Sequence, residues 1–265
     1  MSGVASVQFD NVVRAFRGKN GARHVAVDEV SLLVDETVRL GIVGESGSGK
    51  STVVRMLVGL DQPSSGTVEF NGRATTAMLP TELRAFRCAV QLVAQDTSSS
   101  FDPRRTLRDA VRRPAQKLLG LGKEEADAEV DRTVHELDLD LKLADRKPHQ
   151  VSGGQRQRFA IARALVVRPK VLVCDEAVSA LDVSVQGSVL NLLKRHCAEH
   201  EAGLVFVSHG LPATAFIADR LAVMYEGKIV EEGPTEQVMF APRHAYTRRL
   251  VDAYRTTSGT IGASA

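Results

Sequence analysis

The residues best suited to chemistry form a glycine-rich loop between an apolar segment and a helical pattern. Positions 44–51 fit the spacing G-x-x-x-x-G-K-S. Glycine lets backbone N–H groups turn toward a phosphate, and the following helix points its positive end at the same anion. Lys50 can reach the β- and γ-phosphates, and the Ser51 hydroxyl can ligate Mg²⁺. The loop alone indicates binding of ATP or GTP, and the residues predicted to contact the nucleotide are Gly44, Glu45, Ser46, Gly47, Ser48, Gly49, Lys50, Ser51 and Thr52.

A pair of carboxylates, Asp175 and Glu176, follows the apolar run 171–174. A strand ending there places both at the carboxyl edge of a sheet, beside the phosphate loop. Asp175 would then hold Mg²⁺, and Glu176 would polarise the attacking water. A positioned acid or base contributes about 10²–10⁴ in rate. Standing alone, the pair would be a solvated strand end, but the phosphate loop favours a catalytic role.

Alternating elements must position these residues. Apolar strand patterns at 38–43, 171–174 and 204–207 alternate with helical patterns at 50–60 and 183–200, which predicts a parallel sheet with helices on its faces. Segments 4–9 and 25–34 read as a hairpin, and so do 221–225 and 228–230. Residues 106–143 read as a helical insertion.

Composition narrows the class of protein. The 265 residues are 43% hydrophobic. The 34 basic and 32 acidic side chains give a net charge of +2, so the overall charge does not indicate binding to nucleic acid. Cys88, Cys174 and Cys197 form no Cys-x-x-Cys pair, so we expect neither a disulfide framework nor a zinc site. We also expect no signal peptide and no membrane-spanning segment.

The segment Ser152, Gly153, Gly154, Gln155 resembles the signature motif of ATP-binding-cassette (ABC) proteins. Ser152 can cap a helix whose free N–H groups face an anion. A plain helix cap would explain the serine but not a second phosphate-type loop. The resemblance implies that this motif completes the ATP site of an opposite subunit in a head-to-tail dimer with two nucleotides.

Four further residues match family elements. Gln95 matches the glutamine that links Mg²⁺ and water to the membrane partner, although a surface amide would explain it in isolation. Asp182 matches the D-loop that crosses between subunits, and it also suits a helix cap. His209 matches the histidine that contacts the γ-phosphate; a lone histidine at a strand end is more often structural. Phe16 lies where the family stacks an aromatic ring on adenine, but it equally suits the core.

The resemblance covers nearly the whole chain and is closest to the ATP-binding subunits of dipeptide, oligopeptide and nickel importers. Residues 95–104, 182–186 and 242–247 resemble that branch, and 175–179 with the short C-terminus resemble the second ATPase of nickel importers. The branch's usual Phe, Pro, Asn, Pro and Asp are replaced by Ala94, Thr97, Asp102, Ala177 and Gly210. None of these changes removes a phosphate or Mg²⁺ group, but they leave the fine subfamily open.

The fold that this resemblance implies is α/β, a RecA-like P-loop NTPase. It has a parallel sheet core, an antiparallel β-subdomain and an α-helical subdomain. We expect an ABC ATPase domain over 1–250, with the helical subdomain at about 97–160, and a disordered tail over 251–265.

The implied function is ATP hydrolysis that drives import of peptides, nickel or metal–chelator complexes, with ATP and Mg²⁺. The implied partners are two permease subunits, a second ATPase (a paralogue or another copy of this chain) and an extracytoplasmic solute-binding protein. The chain would then lie peripherally on the cytoplasmic face of the inner membrane. The alternatives are a soluble ABC switch in DNA repair or translation, and a regulatory subunit that binds ATP without hydrolysing it.

Overall fold

The computed structural model describes residues 4–17, 23–95, 100–178 and 181–259. These residues form two compact units. The first lies within Met1–Thr76 and Val205–Ala265, and the second lies within Ala77–Leu204.

An antiparallel sheet in the first unit contains the strands β1 (Ser6–Arg17), β2 (Arg23–Asp35), β4 (Ser65–Phe70) and β5 (Arg73–Ala74), in the order β2-β1-β4-β5. Val7 on β1 faces Val34 on β2 and Phe70 on β4, and these three side chains are buried. Apolar residues at every second position therefore give the sheet one buried face.

The same unit holds the strand that leads into the phosphate loop. β3 (Arg39–Val43) lies parallel to β9 (Arg220–Tyr225), and β8 (Gly203–Val207) is its other neighbour. β10 (Lys228–Pro234) pairs with β9 in an antiparallel hairpin, as predicted. The helices of this unit are α1 (Lys50–Leu57), α8 (Leu211–Ile217), α9 (Thr235–Phe240) and α10 (Ala245–Gly259).

The second unit joins a parallel strand pair to a group of helices. β6 (Val90–Val93) lies parallel to β7 (Val171–Asp175), with Val93 opposite Cys174. Arginines on one helix bind aspartates on another, for example Arg108 with Asp131 and Arg112 with Asp127. The helices are α2 (Pro80–Ala89), α3 (Leu107–Pro114), α4 (Lys123–Glu136), α5 (Leu141–Ala144), α6 (Gly153–Leu165) and α7 (Val183–Glu199).

Pro114 marks a local change of helix type. α3 passes there into a π-helical turn over Ala115–Leu119, and Gly120, with φ 78°, ends it. Proline has no N–H for the regular helical hydrogen bond, so the turn widens at this point.

The described elements confirm the predicted α/β class, with parallel strand pairs, an antiparallel sheet and a helical region. The predicted helical subdomain, about 97–160, lies within the second unit.

The structure corrects the predicted disordered tail over 251–265, because α10 continues through Gly259. Tyr246 and Val251 of this helix are buried in an apolar cluster with Leu221 and Val238, which explains its order. Residues 260–265 lie outside the described residues. Among the described residues, no helix is both long and apolar enough to cross a bilayer.

Candidate functional site: a phosphate loop and a glutamine–glutamate pair

The phosphate loop leaves β3 and enters α1, as the sequence predicts. β3 is buried from Leu40 to Val43, so it fixes the start of the loop in the core of the first unit. Gly49 is the N-cap of α1, and the first turn of the helix contains no acidic residue. The helix therefore offers its free N–H groups to an anion without a competing carboxylate.

Lys50 lies at the centre of this loop and is only 5% exposed. Its Nζ donates to the carbonyl oxygens of Gly44 at 2.8 Å and Glu45 at 2.7 Å, and it lies 3.4 Å from Ser48 Oγ. The ammonium group thus holds the loop curved around itself. A loop already curved in this way is ready to present its N–H groups and one positive charge to phosphate oxygens.

Three loop glycines adopt backbone conformations that other residues rarely reach. Gly44, Gly47 and Gly49 have φ values of 154°, 82° and 104°. A Cβ on Gly44 would lie 2.1 Å from the carbonyl oxygen of Met224, and one on Gly49 would lie 2.2 Å from that of Ala26. The loop therefore packs directly on neighbouring backbone, and two of its glycines are required by this close approach.

The Gly49→Ala variant should bind ATP about 5- to 150-fold more weakly. The added Cβ forces the loop away from Ala26, and a return to the native loop conformation costs about 1–3 kcal/mol of strain. Isothermal titration with ATP measures this loss. Gly72→Ala is the matched control: Gly72 also has a positive φ, 76°, but its added Cβ meets nothing within 4 Å. An equal loss of affinity in both variants would contradict the steric explanation.

A tyrosine that the sequence analysis did not select supports the loop. The Glu45 N–H donates to the Tyr246 hydroxyl at 3.0 Å, and Tyr246 is 3% exposed. Its ring packs on Tyr225 with centroids 4.2 Å apart, and burial raises the pKa of Tyr246. The Glu231 carboxylate accepts from the backbone N–H groups of Arg243 and His244, which fixes the start of α10. Tyr246 lies in segment 242–247, which resembles the peptide and nickel importer branch. This resemblance is the one signal in the sequence that points to Tyr246.

The Tyr246→Phe variant should weaken ATP binding about fivefold, because it removes one buried hydrogen bond, worth about 1 kcal/mol, from the Glu45 N–H. The affinity for ATP, measured by titration, tests this. Tyr254→Phe makes the same chemical change on the same helix, away from the loop. Unchanged affinity in Tyr246→Phe would show that the hydroxyl does not position the loop.

The other predicted residues of the first unit lie in accessible positions. Ser51 is exposed and Thr52 is half-buried. His209 is exposed after β8, where Ser208 N–H donates to the Ile42 carbonyl oxygen at 3.3 Å. The loop and His209 therefore leave neighbouring strands, β3 and β8.

Phe16 is 39% exposed and lies beneath the Arg14 guanidinium, which is 4.7 Å from the centroid of its ring. Phe16 is therefore a surface residue rather than a core one.

In the second unit, Gln95 and Glu176 lie together as the parallel pairing of β6 and β7 requires. Gln95 Nε2 donates to Glu176 Oε2 at 2.6 Å. Glu176 has φ 50°, a left-handed conformation that is uncommon for a non-glycine residue. Asp175 is the last residue of β7 and is half-buried.

The signature-like segment forms the predicted helix cap. Ser152 Oγ accepts from the Gln155 N–H at 3.2 Å, and Gln155 Oε1 accepts from the Ser152 N–H at 3.0 Å. Gly153 is exposed, and a Cβ there would meet nothing within 4 Å. A Cβ on Gly154 would lie 3.1 Å from Val185 Cγ1. The start of α6 is thus ordered, open and free of acidic residues in its first turn.

Asp182 occupies the N-cap position of α7, but its side chain makes no capping hydrogen bond. Its carbonyl oxygen accepts from the N–H groups of Val185 and Gln186. The two preceding D-loop residues, 179 and 180, lie outside the described residues. The exposed Asp182 carboxylate is therefore not committed to capping.

Comparison with known proteins identifies similar chains. A family model described as ABC transporter matches residues 27–179. The chain is 42% identical over 229 residues to the oligopeptide transport ATP-binding protein OppF of Escherichia coli (strain K12), which covers 86% of this chain and 69% of that protein. It is 42% identical over 228 residues to the glutathione import ATP-binding protein GsiA of Escherichia coli (strain K12), covering 86% of this chain and 37% of that one.

A solved structure of similar fold is the ATP-binding cassette MJ0796, described as a dimer in a post-hydrolysis state bound to ADP and Pi. The TM-score is 0.78 at 29% identity, covering 86% of this chain and 98% of that one.

Proposed function

The chain belongs to the ABC transporter family, and from that premise we propose that it is the ATP-hydrolysing subunit of an importer for peptides or metal complexes. The observation that carries this proposal is the phosphate loop curved around the buried Lys50. Such a loop binds the phosphates of a nucleotide, and the family match makes ATP the nucleotide. The family match also supports import over a soluble switch, since the relatives OppF and GsiA are named for transport and import.

Mg²⁺ fits the donors that the chain offers. The Ser51 hydroxyl is exposed at the start of α1, and Gln95 and Asp175 add an amide and a carboxylate oxygen. Hard oxygen donors of this kind suit Mg²⁺, which supplies charge neutralisation at the phosphates when it is bound. We assign these three residues to the metal and Lys50 to the β- and γ-phosphates.

Glu176 and His209 carry the catalytic roles in this proposal. The Glu176 carboxylate would accept a proton from the attacking water, and its contact with Gln95 holds it in a defined orientation. His209 would contact the γ-phosphate. Phe16, exposed at the end of β1, would stack on adenine.

A second cassette would complete each ATP site. The open, capped start of α6 at Ser152 offers helix N–H groups to an anion, as the phosphate loop does. The cassette MJ0796 is dimeric, which supports a pairing of two cassettes. In the pairing that we propose, the two chains lie head to tail, residues 152–155 meet the nucleotide of the partner, and Asp182 crosses the interface.

A cavity in the second unit is the surface that we propose for contact with a permease. Its volume is about 330 Å³, and it combines an apolar floor around Phe101 with flanking charges. The ring of Phe101 is covered by the Arg163 guanidinium, 4.7 Å from its centroid. We assign this cavity to a coupling helix from one of two permease subunits. The chain then works peripherally at the cytoplasmic face of the inner membrane, with a solute-binding protein on the other side.

Purification of the tagged chain from detergent-solubilised membranes, after co-expression with importer permeases from the same organism, tests this assignment. The expected result is co-purification of both permeases, with ATP hydrolysis in the complex. An Arg163→Ala variant should recover less permease, because Arg163 packs on the cavity floor, whereas Arg73→Ala on the exposed strand β5 should not. Recovery of ribosomes or DNA in place of permeases would overturn the proposal.

A further inference from the structure

A second cluster of metal-ligating side chains lies in the helices of the second unit, apart from the residues assigned to ATP. It consists of Glu136, His196 and His200. Each residue offers one ligand atom, and these three atoms lie within 4.8 Å of one another. Glu136 is the last residue of α4. His196 and His200 lie one turn apart at the end of α7, where the His200 N–H donates to the His196 carbonyl oxygen at 3.0 Å. Their spacing places both imidazoles on one side of the helix.

Two atoms of this cluster are buried without a hydrogen-bond partner in the described chain: His196 Nε2 and Glu136 Oε2. His196 is only 7% exposed, so water does not readily reach it. His200 Nε2 lies 3.8 Å from Glu136 Oε2, and the two imidazole centroids are 4.3 Å apart. Buried polar atoms normally have partners, so these two need an explanation. A bound cation would satisfy both.

The carboxylate of Glu136 is held by its other oxygen. Arg132 binds Glu136 Oε1 and also donates from Nε to Glu129 at 2.8 Å, so two carboxylates share the charge of Arg132. This contact leaves Oε2 directed at His200. Groups that hydrogen-bond a metal-binding carboxylate in this way fix its orientation.

We propose that Glu136, His196 and His200 bind one divalent transition-metal ion. Two imidazoles and a carboxylate are donors typical of zinc and its first-row neighbours, whereas Mg²⁺ and Ca²⁺ prefer oxygen alone. Tetrahedral zinc with bonds of about 2.0 Å places ligand atoms about 3.3 Å apart, which small side-chain rotations from the observed separations achieve. The His200 and Glu136 side chains are 32% and 28% exposed, so solvent can complete the coordination.

The site ties the end of α4 to the end of α7 and uses no cysteine. The predicted absence of a zinc site follows from the spacing of the three cysteines, and that spacing carries no information on a glutamate and two histidines that lie on different helices. Glu136 and the two histidines are 60 or more positions apart in sequence, and only the packing of α4 against α7 unites them.

Titration of the full-length, tag-free chain with Zn²⁺, after removal of metal by a chelator and without nucleotide, tests the proposal. One ion per chain should bind, and millimolar Mg²⁺ should not displace it. His200→Gln and Glu136→Gln should each weaken binding about tenfold or more, since loss of an outer contact to a ligand already costs about 10–100-fold. His135→Gln is the matched control, because His135 is exposed on the same helix as Glu136. No saturable binding, or equal binding by all four proteins, would overturn the proposal.

Melting temperatures provide a second measurement. The shift that Zn²⁺ causes is measured within each protein, so a difference in stability between the variants does not affect the comparison. Zn²⁺ should raise the melting temperature of the wild-type and His135→Gln proteins, and at the same Zn²⁺ concentration it should raise that of His200→Gln less, because weaker binding stabilises the fold less. His200 is partly exposed, so its replacement is not expected to unfold α7. An equal shift in all three proteins would place the zinc elsewhere and refute the assigned site.

Discussion

Glu176→Gln should reduce ATP hydrolysis by the assembled complex about 10²- to 10⁴-fold while ATP still binds. Glutamine cannot take a proton from water, and a positioned base is worth about this factor. The amide oxygen can still accept from Gln95 Nε2, which lies 2.6 Å from the native carboxylate, so the local structure should persist. The expected product is an ATP-bound dimer that does not reopen. Phosphate release and the molar mass in solution with ATP measure the two effects.

Glu201→Gln is the control for this experiment. Glu201 also has φ 50° and is exposed, so the same chemical change is made in the same backbone conformation without a role in the site. Normal turnover by Glu176→Gln in an otherwise active complex would refute the catalytic assignment. A loss of hydrolysis that accompanied a loss of ATP binding would point to misfolding rather than to chemistry.

Lys50→Ala should weaken ATP binding by about 100-fold or more. Charge-assisted hydrogen bonds are worth about 1.5–3 kcal/mol each, so two lost phosphate contacts correspond to at least that factor. The substitution also leaves the carbonyl oxygens of Gly44 and Glu45 without the ammonium group that holds the loop curved. Binding of a fluorescent ATP analogue, with competition by ATP, measures the affinity.

Lys123→Ala controls for helix position and charge. Lys123 is the first residue of α4, as Lys50 is of α1, but it is exposed. It should bind ATP normally. ATP affinity in Lys50→Ala within a fewfold of the wild type would show that the phosphates bind elsewhere.

Features that depend on a few adjacent residues were predictable from the sequence. The phosphate loop, the cap at Ser152 and the hairpin around Glu226 and Gly227 each depend on a few adjacent residues, and the structure contains the loop, the cap and the hairpin. In each case glycine, serine or alternating apolar residues favour the local conformation that is observed.

Irregular strands and long-range contacts were less predictable. β1 continues to Arg17, although the alternation of apolar residues in the sequence stops at Phe9. The alternation stops because shifts of register interrupt the strand and Asn11 adopts φ 45°. The contact between Tyr246 and Glu45 spans 201 positions, and that between Gln95 and Glu176 spans 81. Contacts of this kind follow from the packing of strands and helices, so no local pattern reveals them.

Uptake by sealed vesicles tests the central claim most directly. The chain is reconstituted with its permeases and its partner ATPase, with ATP on the side of the cassettes and the loaded solute-binding protein on the other side. We expect the solute to accumulate as phosphate is released, and both to fall to a small fraction when the chain carries Glu176→Gln. Equal uptake with wild-type and Glu176→Gln chains, or phosphate release with no uptake, would contradict an ATP-driven importer subunit.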